Sequence, residues 1–346
     1  MCTALLVFAS LGCDGAGQGE APWTPWEVTP FPQVTAPADN PTTPEKAELG
    51  RLLFYDPVLG SDGVTACATC HSEIWGMGDG LALSVGVGGG TLTGPGREGP
   101  NMTTRNAQSL WNVGLRATLF RDGRSTSLEE QALAPMHSEV ELAREPDAVV
   151  AELATLPEYV AAFERAFPDD AEPVSVTNLA RALAAFERGL VSDRALYDAY
   201  VDGDVGALSH DMVAGMARFA ELGCASCHAP PTFSSEAFAA RGIPGSADLG
   251  RFEMTGADAD RGAFRVPSLR NLRDTGPYFH DGSVASLEDA VRHELGVGGD
   301  EPDPDDVRVI SRFLEKALVD RSREPDRPDA VPSGLPVPED GFRIPR

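Results

Sequence analysis

Hydrophobic positions fall mostly at helical spacing along this chain. Between Asp147 and Phe167, and again between Val176 and Tyr200, they recur at the three- and four-residue steps of a helix with one buried face. Pro44 to Phe54 reads as a shorter helix with Thr43 near its N-cap, and Met212 to Leu222 as another. No stretch sustains the alternation of a half-buried strand, so the expected fold class is mainly α. Gly15 to Pro44 is rich in Pro, Gly and Thr and reads as a linker, with Trp23, Trp26 and Phe31 to pack part of it on the body. Gly76 to Gly99, dominated by glycine and small residues, reads as a loop. Asp202 to Ser209 looks like a joint between halves. Beyond Leu318 the Pro- and Asp-rich chain reads as an extended tail that wraps back over the body.

At 346 residues the length suits about two domains, and 42% hydrophobic with 7% aromatic residues is the composition of an ordinary soluble globular chain. The net charge of −25 and the pI near 4.5 exclude nucleic acid as a natural partner, because phosphate is repelled. A partner protein with a basic docking patch is compatible with that charge. Ala4 to Leu11 form an apolar run far too short to span a bilayer, which suits the core of an export signal. The run ends in Ser10-Leu11-Gly12-Cys13, which resembles a lipoprotein lipobox with Cys13 as the lipidated residue. Export to the periplasm or cell envelope is therefore expected, with attachment to the membrane by an N-terminal lipid as an added possibility.

Four of the six cysteines lie in a repeated string. Cys67-Ala68-Thr69-Cys70-His71 and Cys224-Ala225-Ser226-Cys227-His228 are both C-x-x-C-H, the attachment signature of c-type haem. Two thiols at this spacing form thioethers to one porphyrin, and the adjacent histidine serves as proximal ligand to iron. A Cys/His zinc site is the alternative reading. The remaining cysteines, Cys2 and Cys13, are both near the N-terminus, so no disulfide framework is expected. A second repeat follows each motif. Ser109-Leu110-x-Asn112, Phe120-x-Asp122-Gly123 and Ser127-Leu128-Glu129 align without a gap with Ser268-Leu269-x-Asn271, Phe279-x-Asp281-Gly282 and Ser286-Leu287-Glu288. The chain thus reads as two cytochrome-c-like haem domains related by internal duplication. A leader and linker would occupy residues 1–40, the first domain 41–202, the second 203–325 and the tail 326–346.

Over roughly Pro41 to Gly299 the sequence resembles the bacterial di-haem cytochrome c peroxidase and MauG-like family. The motifs that carry the resemblance are Leu49 to Asp56, both C-x-x-C-H strings, Arg105-Asn106, Asp122-Gly123-Arg124, Val266 to Asn271 and Gly276 to Gly282. The resemblance implies a peroxidatic haem at His71 and an electron-transfer haem at His228. It implies Glu141 and Gln131 as peroxidatic residues, one to move a proton between the peroxide oxygens and one to orient peroxide. It also implies a calcium ion between the domains, held by the Asn106 side chain and the carbonyls of Thr275 and Pro277. Hydrogen peroxide would be the substrate. The electron donor would be a small exported redox protein, a cytochrome c or a cupredoxin; in the MauG-like case a protein side chain is oxidised instead. A homodimer is a compatible assembly.

Three positions depart from the family pattern. Val87 stands in the Gly-rich loop where other members place a removable distal histidine, so the first haem is expected to be open. Arg121 stands where the family has a tryptophan between the haems, which leaves Phe120, Trp111 or the haem edges as the electron route. Glu294 holds the usual place of the second haem's distal Met or Tyr. His293 beside it is the first alternative ligand and Met254 the second. His280 is expected to support the site without binding iron. A non-catalytic di-haem electron carrier is the competing reading from another functional class.

Overall fold

The computed structural model describes residues 22–340; Cys2 and Cys13 lie outside them. Helix α1 (Pro44–Tyr55) starts on a proline, and the Thr43 hydroxyl caps it by accepting from the Lys46 N–H at 3.2 Å. A single turn, α2 (Cys67–Cys70), follows, then strand β1 (Leu92–Thr93) within the glycine-rich loop. Next come α3 (Leu128–His137), α4 (Pro146–Leu153), α5 (Pro157–Ala166) and α6 (Val176–Glu187). The second half holds α7 (Leu196–Val201), α8 (His210–Glu221), β2 (Phe238–Ala240), α9 (Phe252–Thr255) and β3 (Ala263–Arg265). It ends in α10 (Leu287–Gly296), α11 (Pro304–Arg312) and β4 (Glu339–Asp340). The fold is mainly α; its strands, none longer than three residues, make an antiparallel β2–β3 pair and a parallel β1–β4 pair.

Two long helices expected from periodicity are each broken. The apolar pattern of Asp147 to Phe167 continues through the break, but Pro157 carries no N–H and starts α5 as a new helix after α4. The pattern of Val176 to Tyr200 breaks after α6 for a tertiary reason. Asn112 claims the intervening backbone: its N–H donates to the Leu190 carbonyl at 2.7 Å, and its Oδ1 accepts from the Ser192 N–H at 2.9 Å.

Two apolar cores result. The first is built on α1 and α3 to α6, with Leu49, Leu53, Phe54, Tyr159, Phe163 and Leu183. The second gathers Tyr197, Phe219, Phe233, Ile310 and Phe313, with Trp26 packed against them. The division falls between Leu190 and Tyr197, so α7 belongs to the second core and the segment read as a joint contributes Leu208 to it. Each core turns on one helix crossing through a glycine. A Cβ on Gly50 of α1 would sit 1.9 Å from the Ala182 carbonyl oxygen of α6, and one on Gly215 of α8 would sit 2.1 Å from that of Val309 on α11. The backbones meet there only because no side chain intervenes.

The segments flanking the domains pack as the apolar anchors suggested. Trp26 Nε1 donates to the Tyr197 hydroxyl at 2.8 Å, and the Phe31 ring lies 4.8 Å from the Arg270 guanidinium. The C-terminal tail folds over the first domain. There Val331 enters the core, the Ser333 hydroxyl donates to Asp56 at 2.6 Å, and Arg327 pairs with Glu73 at 3.0 Å.

Candidate haem centres

Each C-x-x-C-H string forms one tight turn that turns its histidine back on itself. The His71 N–H donates to the Cys67 carbonyl at 3.0 Å, and the His228 N–H to the Cys224 carbonyl at 2.9 Å. The rings are fixed in the same way. His71 Nδ1 bonds the Met77 carbonyl at 3.0 Å, and His228 Nδ1 the Phe233 carbonyl at 3.3 Å. Both acceptor residues have left-handed backbone, φ 64° at Met77 and 50° at Phe233. With Nδ1 donating, Nε2 is left as the lone-pair nitrogen, the arrangement of a metal-binding imidazole. Burial holds both histidines below their ordinary pKa, so they are neutral and able to ligate at pH 7. Burial likewise pushes the Cys67 thiol up to about 12 and that of Cys224 to about 11. A Cys/His zinc site needs four such ligands, and among the described residues no group of three or more His, Cys, Asp or Glu side chains is arranged to hold a metal ion. The residues present suit covalent haem.

The first motif opens into a cavity of about 590 Å³, a volume in the range of cofactor sites. Cys67, Cys70 and His71 form one wall, and Gln131 and Glu141 also line it. Helix α3 carries Gln131. The segment after α3 folds back on it, with the Leu142 N–H on the Pro135 carbonyl at 3.1 Å and the Arg144 N–H on that of Met136 at 2.9 Å, and this return carries Glu141 to the cavity. Burial raises the Glu141 pKa above the usual carboxylate range, with the Arg124 charge as a partial offset. The Gly-rich loop clamps the same return. The Val87 N–H donates to the Glu141 carbonyl at 3.0 Å, and a Cβ on Gly86 would lie 1.8 Å from the Val140 carbonyl oxygen. Buried Arg97 orders this loop from inside, donating to the carbonyls of Val85 and Gly86 at 2.8 Å each and to that of Leu92 at 2.9 Å.

Residues 44–206 match the family model described as di-haem cytochrome c peroxidase. The chain is 37% identical over 295 residues to cytochrome c551 peroxidase of Pseudomonas aeruginosa, covering 82% of each. It is 39% identical over 273 residues to the methylamine utilization protein MauG of Methylorubrum extorquens, covering 78% of this chain and 74% of that one. The chain belongs to the di-haem cytochrome c peroxidase family. Its fold matches the crystal structure of a MauG-like protein associated with microbial copper homeostasis, with a TM-score of 0.77 and 28% identity over 88% of this chain and 99% of that one. It is therefore an oxidoreductase of the peroxidase type, and membership implies two c-type haems.

The surroundings of the peroxidase's second motif are different. Cys224, Cys227 and His228 are partly exposed, as Cys67, Cys70 and His71 are; the difference lies in the side chains around them. Glu294 of α10 lies close enough to act electrostatically on Cys224 and His228, and it is paired with Arg241 at 2.6 Å. His293 bonds the Arg241 carbonyl through Nε2 at 2.9 Å and meets the Phe279 ring edge-on at 5.0 Å. Met254 stands elsewhere. It is 52% exposed on α9 and borders the first cavity, which counts against it as a ligand at the second motif. His280 is buried, stacks on Phe264 at 4.0 Å and bonds the Ser246 hydroxyl through Nε2 at 2.6 Å.

Two side chains at the first cavity escaped the sequence reading. Glu187, the last residue of α6, is 6% exposed, and its Oε2 has no hydrogen-bond partner. Burial pushes its pKa up to about 8. Its signal was a carboxylate on the apolar face of α6, one turn beyond Leu183. Arg265 also lines the cavity; its Nη1 is buried without a partner, while Nη2 donates to Gln108 at 3.0 Å. Arg121 lines the same cavity and donates to Asn106 Oδ1 at 2.8 Å. Of the aromatic side chains considered for electron transfer, Phe120 borders the cavity under the Arg124 guanidinium at 3.5 Å, and Trp111 is buried in the first core.

Proposed function

We propose that this peroxidase reduces hydrogen peroxide to water at the haem bound by Cys67, Cys70 and His71. Electrons arrive from a small redox protein through the haem bound by Cys224, Cys227 and His228. The observation that carries the reading is the convergence of Gln131 and Glu141 on the cavity of the first motif. The haem supplies the redox chemistry of O–O cleavage: one peroxide, two electrons and two protons give two waters. The chain supplies proton placement. Glu141 takes a proton from one peroxide oxygen and returns it to the other, which leaves as water. Its raised pKa brings it toward the working pH, where it exchanges a proton in both directions. Gln131 donates an amide hydrogen bond that orients the substrate.

The parallel turns also support an origin of the two haem domains by duplication. Asn112 and Asn271, Phe120 and Phe279, and Gly123 and Gly282 all take left-handed backbone, and Ser127 and Ser286 cap corresponding helices. Of the two candidates for the second haem's distal ligand, Met254 borders the other cavity, and His293, beside Glu294 on α10, would have to take its Nε2 off the Arg241 carbonyl to bind iron. Removing the His293 imidazole is expected to change the spectrum of one haem, and an unchanged spectrum would rule the ligand out. Covalent haem attachment and the N-terminal apolar run support a periplasmic or envelope location, with Cys13 as the lipid anchor point. Among the described residues no helix is long and apolar enough to cross a membrane.

Peroxide titration of the diferric protein, with and without a reduced small cytochrome, tests the reading. Peroxide is expected to perturb one haem and to drive oxidation of the cytochrome. If millimolar peroxide does neither, the protein is an electron carrier. Val87 favours a second reading, in which the first haem is open at rest and the oxidising equivalents pass to a side chain of a partner protein. Two low-spin, six-coordinate haems in the fully oxidised state would sink it.

A further inference from the structure

The family resemblance places calcium at the junction of the two halves, on the Asn106 side chain and two carbonyls. Of these, the side chain is already committed elsewhere. Asn106 Oδ1 accepts from Arg121 Nη2 at 2.8 Å, and the Asn106 carbonyl accepts from Arg121 Nε at 3.2 Å. The amide cannot turn to free that oxygen without loss, because Nδ2 donates to the Leu81 carbonyl at 2.8 Å. Its N–H is also engaged, on the His280 carbonyl at 2.7 Å. Calcium needs its oxygen ligands at about 2.3–2.6 Å. A dication that close to Oδ1 would sit beside a guanidinium bonded to the same atom, and like charges at such range repel strongly.

Arg121 is held in that position from both halves. Its carbonyl accepts from the Arg265 N–H at 2.7 Å, and the neighbouring Phe120 carbonyl accepts from Arg265 Nε at 3.2 Å. Burial, together with the Arg265 and Arg105 charges, lowers its pKa to about 9, which leaves it charged at pH 7; Asp281 and Asp248, both from the second half, offset part of that cost. The halves are in close contact around it: a Cβ on Gly282 would lie 2.4 Å from Ala82 Cα, and one on Gly76 would lie 2.8 Å from Thr275 Cγ2. The guanidinium supplies a positive charge at the junction covalently: its hydrogen bonds go to Asn106 of the first half, and Asp281 and Asp248 of the second half lie within electrostatic reach.

We propose that Arg121 is the built-in cation of this junction and that the peroxidase requires no calcium there. The test uses the haem-loaded protein, dialysed against EGTA, with metal content measured by mass spectrometry and Ca²⁺ binding by calorimetry. The wild type is expected to hold well under one calcium per chain. Neither Ca²⁺ nor EGTA should move its thermal midpoint or haem spectrum. R121W and R121Q remove the charge and free Asn106 Oδ1. At least one variant that retains the haem spectrum is expected to bind one Ca²⁺. Calcium at about 100 times the dissociation constant should then raise its midpoint by roughly 3–6 °C. A wild type that holds one equivalent of EGTA-removable calcium, with a midpoint that falls on its removal, overturns the proposal. So do haem-loaded variants that gain no calcium.

Discussion

The two haem halves use the same scaffold and differ in what closes around it. Each crosses a helix pair through one glycine, Gly50 on Ala182 and Gly215 on Val309. Each fixes its histidine by a carbonyl on a left-handed residue, Met77 or Phe233. Around the first motif, the loop held by Arg97 and the return after α3 enclose a cavity into which Glu141, Gln131 and Glu187 converge. Around the second, Glu294 is held by Arg241, and that pair is itself open to water. Enclosure raises carboxyl pKa values and makes proton chemistry possible. Under the proposed division of labour, that enclosed site is the peroxidatic one.

The largest effect expected is on catalysis. Glu141→Gln should lower peroxide turnover by about 10²–10⁴-fold with haem content unchanged. Glu294→Gln, the carboxylate near the other motif, should change it only a few-fold. Equal losses in steady-state assays would break the comparison. The second core can be attacked through Arg270, which is 1% exposed and donates twice to Asp198, at 2.7 and 2.6 Å. Arg270→Ala leaves Asp198 unpaired and should cost about 3–5 kcal/mol in denaturant melts. The second haem's signal should be lost before the first.

Glu187 gives the first half its own pH signature. Its folded pKa, about 8, lies above the ordinary 4.5, so the folded chain holds this proton more tightly. The stability it contributes is fully present below pH 4.5 and is lost as pH rises through about 8. Glu187→Gln should flatten that slope and stabilise the protein above pH 8 by roughly 2–4 kcal/mol. Thermal melts across this range check it, and an unchanged slope would show that Glu187 is not the group responsible. Smallest is the effect of the shared device. Gly50→Ala and Gly215→Ala should each cost about 1–3 kcal/mol. Similar losses by chemical denaturation would mark the two crossings as equivalent, whereas a much cheaper Gly215→Ala would mean that α8 and α11 can slide apart.

What the sequence determined by itself was local or strictly spaced. The haem turns, the helices that precede them, the repeated Asn, Phe and Gly positions and the caps at Ser127 and Ser286 depend on neighbours within a few residues. Gln131 and Glu141 were legible only through the resemblance to the family, and the return after α3 brings Glu141 to the cavity. Tertiary structure decided the rest. It ended α6 by giving the backbone of Leu190 and Ser192 to Asn112, a competitor far away in sequence. It assigned α7 to the second core, and it turned Glu187 into the cavity, where burial raised its pKa. Met254 went to the first cavity because α9 packs across the junction, a placement that residue spacing does not encode. Arg121 could be read in the sequence only as a missing tryptophan. Its bond to Asn106 exists because the folded chain brings two polar groups together away from water, where each must find a partner.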